Sequence, residues 1–130
     1  YTEVTRGIRV SVRTQLLEGQ SAPDESRFVW AYRVTIDNEG GETVQLLRRT
    51  WTITDAAGRM QRVHGPGVVG EQPVLAPGER FEYPSGTPLA TPSGIMAGLY
   101  HMVVPDTGEM FDVVIPTFSP DSPHQPIQLH

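Results

Sequence analysis

No cysteine occurs in the 130 residues, which removes disulfides, thiolate nucleophiles and every cysteine-based zinc site. Lysine is missing as well, so all ten basic residues are arginine. A Walker-type phosphate loop needs its lysine and a Schiff base needs an amine, and both chemistries are excluded. The arginines are scattered, Arg48-Arg49 being the one adjacent pair, and the net charge is −5. Clustered positive charge of the kind that holds nucleic acid is therefore lacking. No apolar run approaches the roughly 20 residues of a membrane-spanning helix, and no charged-then-apolar segment opens the chain. Nowhere do apolar residues recur at i, i+3, i+4, i+7 over three turns. The expectation is a cytoplasmic, helix-poor protein with no nucleic-acid partner and no membrane insertion.

What the chain does have is a period of two. Ile8, Val10, Val12 and Leu16 alternate with Arg9, Ser11 and Arg13, the mark of a half-buried strand. Phe28, Trp30, Tyr32, Val34 and Ile36 line one face of a second strand whose other face is also fairly apolar, which suits a central position. A third strand is expected from Thr43 to Thr54. Its pattern slips at Leu46-Leu47, where a β-bulge would re-aim the face. Further strands are expected at Arg59 to His64, Glu79 to Tyr83, Ile95 to Val104 and Met110 to Ile115. Thirteen glycines and twelve prolines punctuate the chain. Seven or eight short strands so spaced predict an all-β fold, an immunoglobulin- or fibronectin-type-III-like antiparallel sandwich. The length fits one domain over residues 1–130, with an extended, proline-rich tail from about residue 119 and a polar loop from Glu18 to Glu25. Tyr100, opening a strand after Gly98, suits either a tyrosine corner or a core tyrosine with a satisfied hydroxyl.

Residues 64–70 read HGPGVVG, and Gly65, Gly67 and Gly70 spell the G-x-G-x-x-G of a dinucleotide loop. Such a loop must open a helix, whose free N–H groups and dipole hold the pyrophosphate. Here it runs into Glu71-Gln72-Pro73-Val74-Leu75-Ala76-Pro77-Gly78, where two prolines and a glycine forbid a useful helix. What remains open is a helix-free nest of backbone N–H groups for a small anion. The four histidines, His64, His101, His124 and His130, form no metal-binding pair, and His101 reads as a structural residue within a strand. No G-x-S-x-G and no calcium loop is present, and Ser85 and Ser93 read as turn formers. Asp106, Glu109 and Asp112 read as a solvated hairpin end. No catalytic residue, metal ligand or cofactor is expected.

The strings VQLLRRTWTITDAAG (Val44 to Gly58), GPGVVGEQPVLAPGERFEYPSG (Gly65 to Gly86), TPSGIMAGLYHM (Thr91 to Met102) and GEMFDVVIPTF (Gly108 to Phe118) closely resemble the ApaG family, in order over nearly the whole chain. The resemblance implies a fibronectin-type-III-like sandwich and a bacterial protein associated genetically with cobalt and magnesium efflux. It also implies a protein-interaction module, since related domains are appended to adaptor proteins. It carries over no catalytic residues. Thr50 stands where the family often has a histidine before Trp51. The resulting expectation is a non-catalytic binding module whose partner is another protein, with a homodimer allowed. The alternative is a small-anion or nucleotide binder using Gly65 to Gly70. The candidate interaction loop is Gly65, Pro66, Gly67, Val68, Val69, Gly70, Glu71, Gln72 and Pro73, with Val68 or Val69 partly exposed if it meets a partner. If both valines instead plug the end of the sandwich, they are core.

Overall fold

The alternation read from the sequence becomes two facing antiparallel sheets in a computed structural model that describes residues 1–16, 21–25 and 27–119. The first sheet has the order β1-β2-β3-β7, from β1 (Thr2–Thr5), β2 (Ile8–Leu16), β3 (Phe28–Asn38) and β7 (Arg80–Leu89). The second has the order β5-β4-β8-β9, from β4 (Val44–Asp55), β5 (Met60–Pro66), β8 (Gly94–Val104) and β9 (Glu109–Phe118). The two-residue β6 (Val74–Leu75) adds to β4. A single 3-10 turn at Pro23–Glu25 is the one helical element among the described residues. The antiparallel sandwich expected from periodicity is present.

Strand β3 is central and alternates strictly, with Phe28, Trp30, Tyr32, Val34, Ile36 and Asn38 all buried. Between the sheets the rings of Tyr32, Trp51 and Phe118 meet with centroids 5.7 to 5.9 Å apart, spacings at which tilted and edge-on aromatic pairs are favourable.

The slip at Leu46-Leu47 is a β-bulge. Leu46 pairs with Met102 and Arg48 with His101, leaving Leu47 as the extra residue. One extra residue moves every later side chain to the opposite face. Val44 and Leu46 point into the core before the bulge; Arg49, Trp51 and Ile53 do so after it.

Two strands were not legible in the sequence. β1 is four residues with little burial, and β6 is too short to show a period. β7 continues past Tyr83 to Leu89 although Pro84 and Pro88 look like breakers. It is an edge strand, where a missing N–H costs no ladder bond. Tyr100 is no tyrosine corner: its phenol hydrogen-bonds the phenol of Tyr83 across the core, not the preceding connection. The tail from Pro120, with His124 and His130, and most of the Glu18 to Glu25 loop's first half lie outside the described residues.

The two long sides of the sandwich are closed differently. On one, Arg6 bridges from the β1–β2 turn to Glu109 of β9 at 2.6 Å, and Thr5 Oγ1 accepts from the Val114 N–H at 3.2 Å. On the other, no hydrogen bond joins β5 to β7 among the described residues, and a cleft opens between them.

Candidate functional site

The candidate loop folds back on itself as a tight hairpin. Val68 N–H donates to Glu71 O at 2.8 Å and Glu71 N–H to Val68 O at 2.9 Å, with Val69 (φ 45°) and Gly70 (φ 81°) between them. Positive φ at both central residues is the signature of a type I′ turn, whose preferred pair is Asn-Gly. Glycine suits the second position. Valine at the first is an outlier, because a β-branched residue crowds its own backbone at positive φ.

The expectation for the two valines resolves into one of each kind. Val68 is core, 1% exposed, and Val69 is 56% exposed at the tip. Gly65 and Pro66 belong to the end of β5 rather than to a loop. Val69→Asn should therefore stabilise the protein by about 1 kcal/mol, raising the melting temperature by a few degrees in a calorimetric scan; an unchanged or lower melting point would mean the valine conformation carries no strain.

The loop is docked onto the bulge. Leu47, left over in the ladder, gives its carbonyl to Gly67 N–H (2.8 Å) and Gln72 Nε2 (3.0 Å), while Leu46 N–H donates to Pro73 O (3.0 Å). Arg49 Nη1 donates to Pro66 O at 3.0 Å and Gly67 O at 2.7 Å. The glycines then have separate tasks. Gly65 leaves room for the Arg49 guanidinium, whose atoms would lie 3.0 to 3.1 Å from a Cβ there. Gly67 lies against the Glu71 carbonyl, and Gly70 completes the turn. None of this requires a nucleotide. The N–H groups of Gly67, Val68 and Glu71 are all committed to protein carbonyls, and the segment continues into β6 rather than a helix.

A second group was invisible to linear spacing. On the outer face of the second sheet, His101 Nδ1 lies 2.7 Å from Asp112 Oδ1 and His101 Nε2 lies 2.8 Å from Thr50 Oγ1. Thr50 Oγ1 also lies 3.1 Å from His64 Nδ1. Register brings these together: Thr50 faces His64, His101 faces Asp112, and Thr50 and His101 are diagonal neighbours. Hydroxyl, imidazole and carboxylate in line are the parts of a nucleophile relay. Here the hydroxyl is shared by two imidazoles on the outer face of the sheet. The row reads as a polar ladder across four strands, which agrees with a structural role for His101. The carboxylates expected at the hairpin end separate, Glu109 to Arg6 and Asp112 to His101. No group of three or more metal-ligating side chains converges among the described residues, and no helix among them is long and apolar enough to cross a membrane.

Comparison with known proteins places these features in a family. Residues 18–104 match the family model DUF525, the ApaG domain. The chain is 67% identical over 124 residues to Protein ApaG of Rhodospirillum centenum, covering 95% of each. It is 60% identical over 130 residues to Protein ApaG of Paramagnetospirillum magneticum, covering 100% of this chain and 99% of that one. The crystal structure of an ApaA protein from Bordetella pertussis superposes with a TM-score of 0.87 at 47% identity, over 91% of this chain and 95% of that one.

Proposed function

This chain belongs to the ApaG family, and from that premise we propose that it is a non-catalytic module that recognises another protein through the hairpin of Gly65 to Pro73. One observation carries the reading: an apolar, β-branched side chain held exposed at positive φ on a tip that is otherwise firmly tied down. Backbone strain that the surrounding structure holds in place is typical of recognition and active sites. A rigid tip also binds with little ordering entropy to lose. Around it, Val74 of β6 is 53% exposed and adds apolar surface to the same loop-to-strand segment. The chain's link to cobalt and magnesium efflux then runs through the partner, and its location is the cytoplasm.

The test pairs two substitutions at one position. Val69→Asp places a charge at the tip, yet aspartate tolerates positive φ better than valine, so the melting temperature should not fall. Immobilised wild-type protein should retain a host protein, identified by mass spectrometry, that the Val69→Asp column fails to retain. Equal retention by both columns would sink the interface; a large loss of melting temperature would show that Val69 serves the fold instead.

A further inference from the structure

We propose that the open cleft between β5 and β7 is a binding site for a small carboxylate with an apolar body, gripped by the Arg49 guanidinium. The bulge at Leu47 is what turns Arg49 to the inner face of its sheet, beside Trp51. Arginine on the inner face of a sandwich calls for an anion, because a half-buried charge without a counter-charge is unfavourable. Arg6, Arg9, Arg33, Arg59 and Arg80 each meet a carboxylate at the surface. Arg49 meets none. Its Nη1 is taken by the two loop carbonyls, which fix the plane of the group. Among the described residues no acceptor engages its Nε or Nη2.

The walls complete the argument. The cleft encloses about 350 Å³, within the range of small-molecule sites. The chain has fifteen acidic residues, but none lines this space. Val63, Val69 and Pro88 supply accessible apolar surface over the nearly buried Trp51, and Gln61 and Ser85 supply polar groups. The phenols of Tyr32 and Tyr83 are uncharged at neutral pH, as any tyrosine is, with burial pushing both further up, and they add no repulsion to an anion. Two unused guanidinium donors side by side match the two oxygens of a carboxylate. The apolar body of such a ligand would lie against Val63, Val69 and Pro88, removing their apolar surface from water. The overall charge of −5 gives anions no general attraction, so selectivity rests on the cleft. Val69 of the hairpin tip also lines the cleft, but the grip on a carboxylate comes from Arg49, so the site does not require a partner at the tip.

The experiment titrates ¹⁵N-labelled protein with phenylacetate, with phenylacetamide, and with sodium phosphate at matched ionic strength. Phenylacetate should give saturable shifts of the Trp51 indole N–H and the Arg49 Nε–H, and neither control should. Arg49→Gln, checked for folding by circular dichroism, should weaken binding about tenfold or more, as expected on losing a charge-assisted hydrogen bond. Because Arg49 also braces the loop, the wild-type protein provides an independent reading. Nuclear Overhauser contacts from the phenyl protons should reach the methyl groups of Val63 and Val69. Absence of saturable shifts, equal binding of the amide, contacts elsewhere on the surface, or unchanged affinity in folded Arg49→Gln would each overturn the proposal.

Discussion

Gly67→Ala should destabilise the protein by about 3 kcal/mol or more and lower its melting temperature by roughly 10 °C or more. Two effects add at this residue. Its φ of +58° lies in the left-handed region, where an L side chain costs about 1 kcal/mol. In addition, a Cβ would meet the Glu71 carbonyl carbon and oxygen far inside contact distance. Backbone, unlike the end of a flexible side chain, cannot step aside without dismantling the hairpin and its hydrogen bonds to Leu47. Gly58→Ala separates the two effects. Its φ is +83° and nothing lies within 4 Å of the new Cβ, so only the conformational cost of about 1 kcal/mol should appear. Urea unfolding of both variants gives the comparison. A Gly67→Ala loss no larger than that of Gly58→Ala would mean that the close approach to Glu71 is absent.

The same loop shows what a sequence can and cannot convey. Strand periodicity and the slip at Leu46-Leu47 were legible because the alternation of apolar residues is local. The consequence of the slip was not. Whether Arg49 faces solvent or core depends on which single residue is extra, and that is settled by pairing with β8, some fifty positions later. The G-x-G-x-x-G spacing is followed by prolines that argue against a helix, and a strand, β6, stands there. The real basis of the glycines, space for Arg49, contact with Glu71 and a type I′ turn, lies in three-dimensional neighbours that spacing does not encode. The row from Asp112 through His101 and Thr50 to His64 was hidden for the same reason, since its members come from four strands. Val68 and Val69, adjacent and chemically identical, have opposite fates because the turn places them on opposite sides of the backbone.

Asn38→Leu should be comparably damaging, by about 3 kcal/mol, for a reason that apolar burial alone would get backwards. Asn38 is 1% exposed at the end of β3, and a hydrophobic residue there would bury more apolar surface. Yet the amide is fully engaged. Nδ2 donates to Glu42 O at 2.7 Å and Leu75 O at 2.9 Å, and Oδ1 accepts from Gly40 N–H at 3.0 Å. Its backbone also exchanges bonds with Gly78 and Glu79. One side chain thus ties together the β3–β4 turn and β6, and the main chain beside it secures the approach to β7. Leucine would leave two carbonyls and one N–H without that partner, each costing on the order of 1–3 kcal/mol where water cannot reach. The gain from burying two methyl groups in place of the amide is about 1.5–3 kcal/mol, less than the three losses together. Because β6 docks on β4 beside the bulge, the disturbance should spread to the recognition hairpin. Hydrogen exchange in Asn38→Leu should accelerate at Leu46 N–H, whose acceptor is Pro73 O, before it accelerates in the centre of β3. Uniform acceleration across both sheets would instead indicate that Asn38 stabilises only the global fold, with no particular connection between the β3 end and the loop.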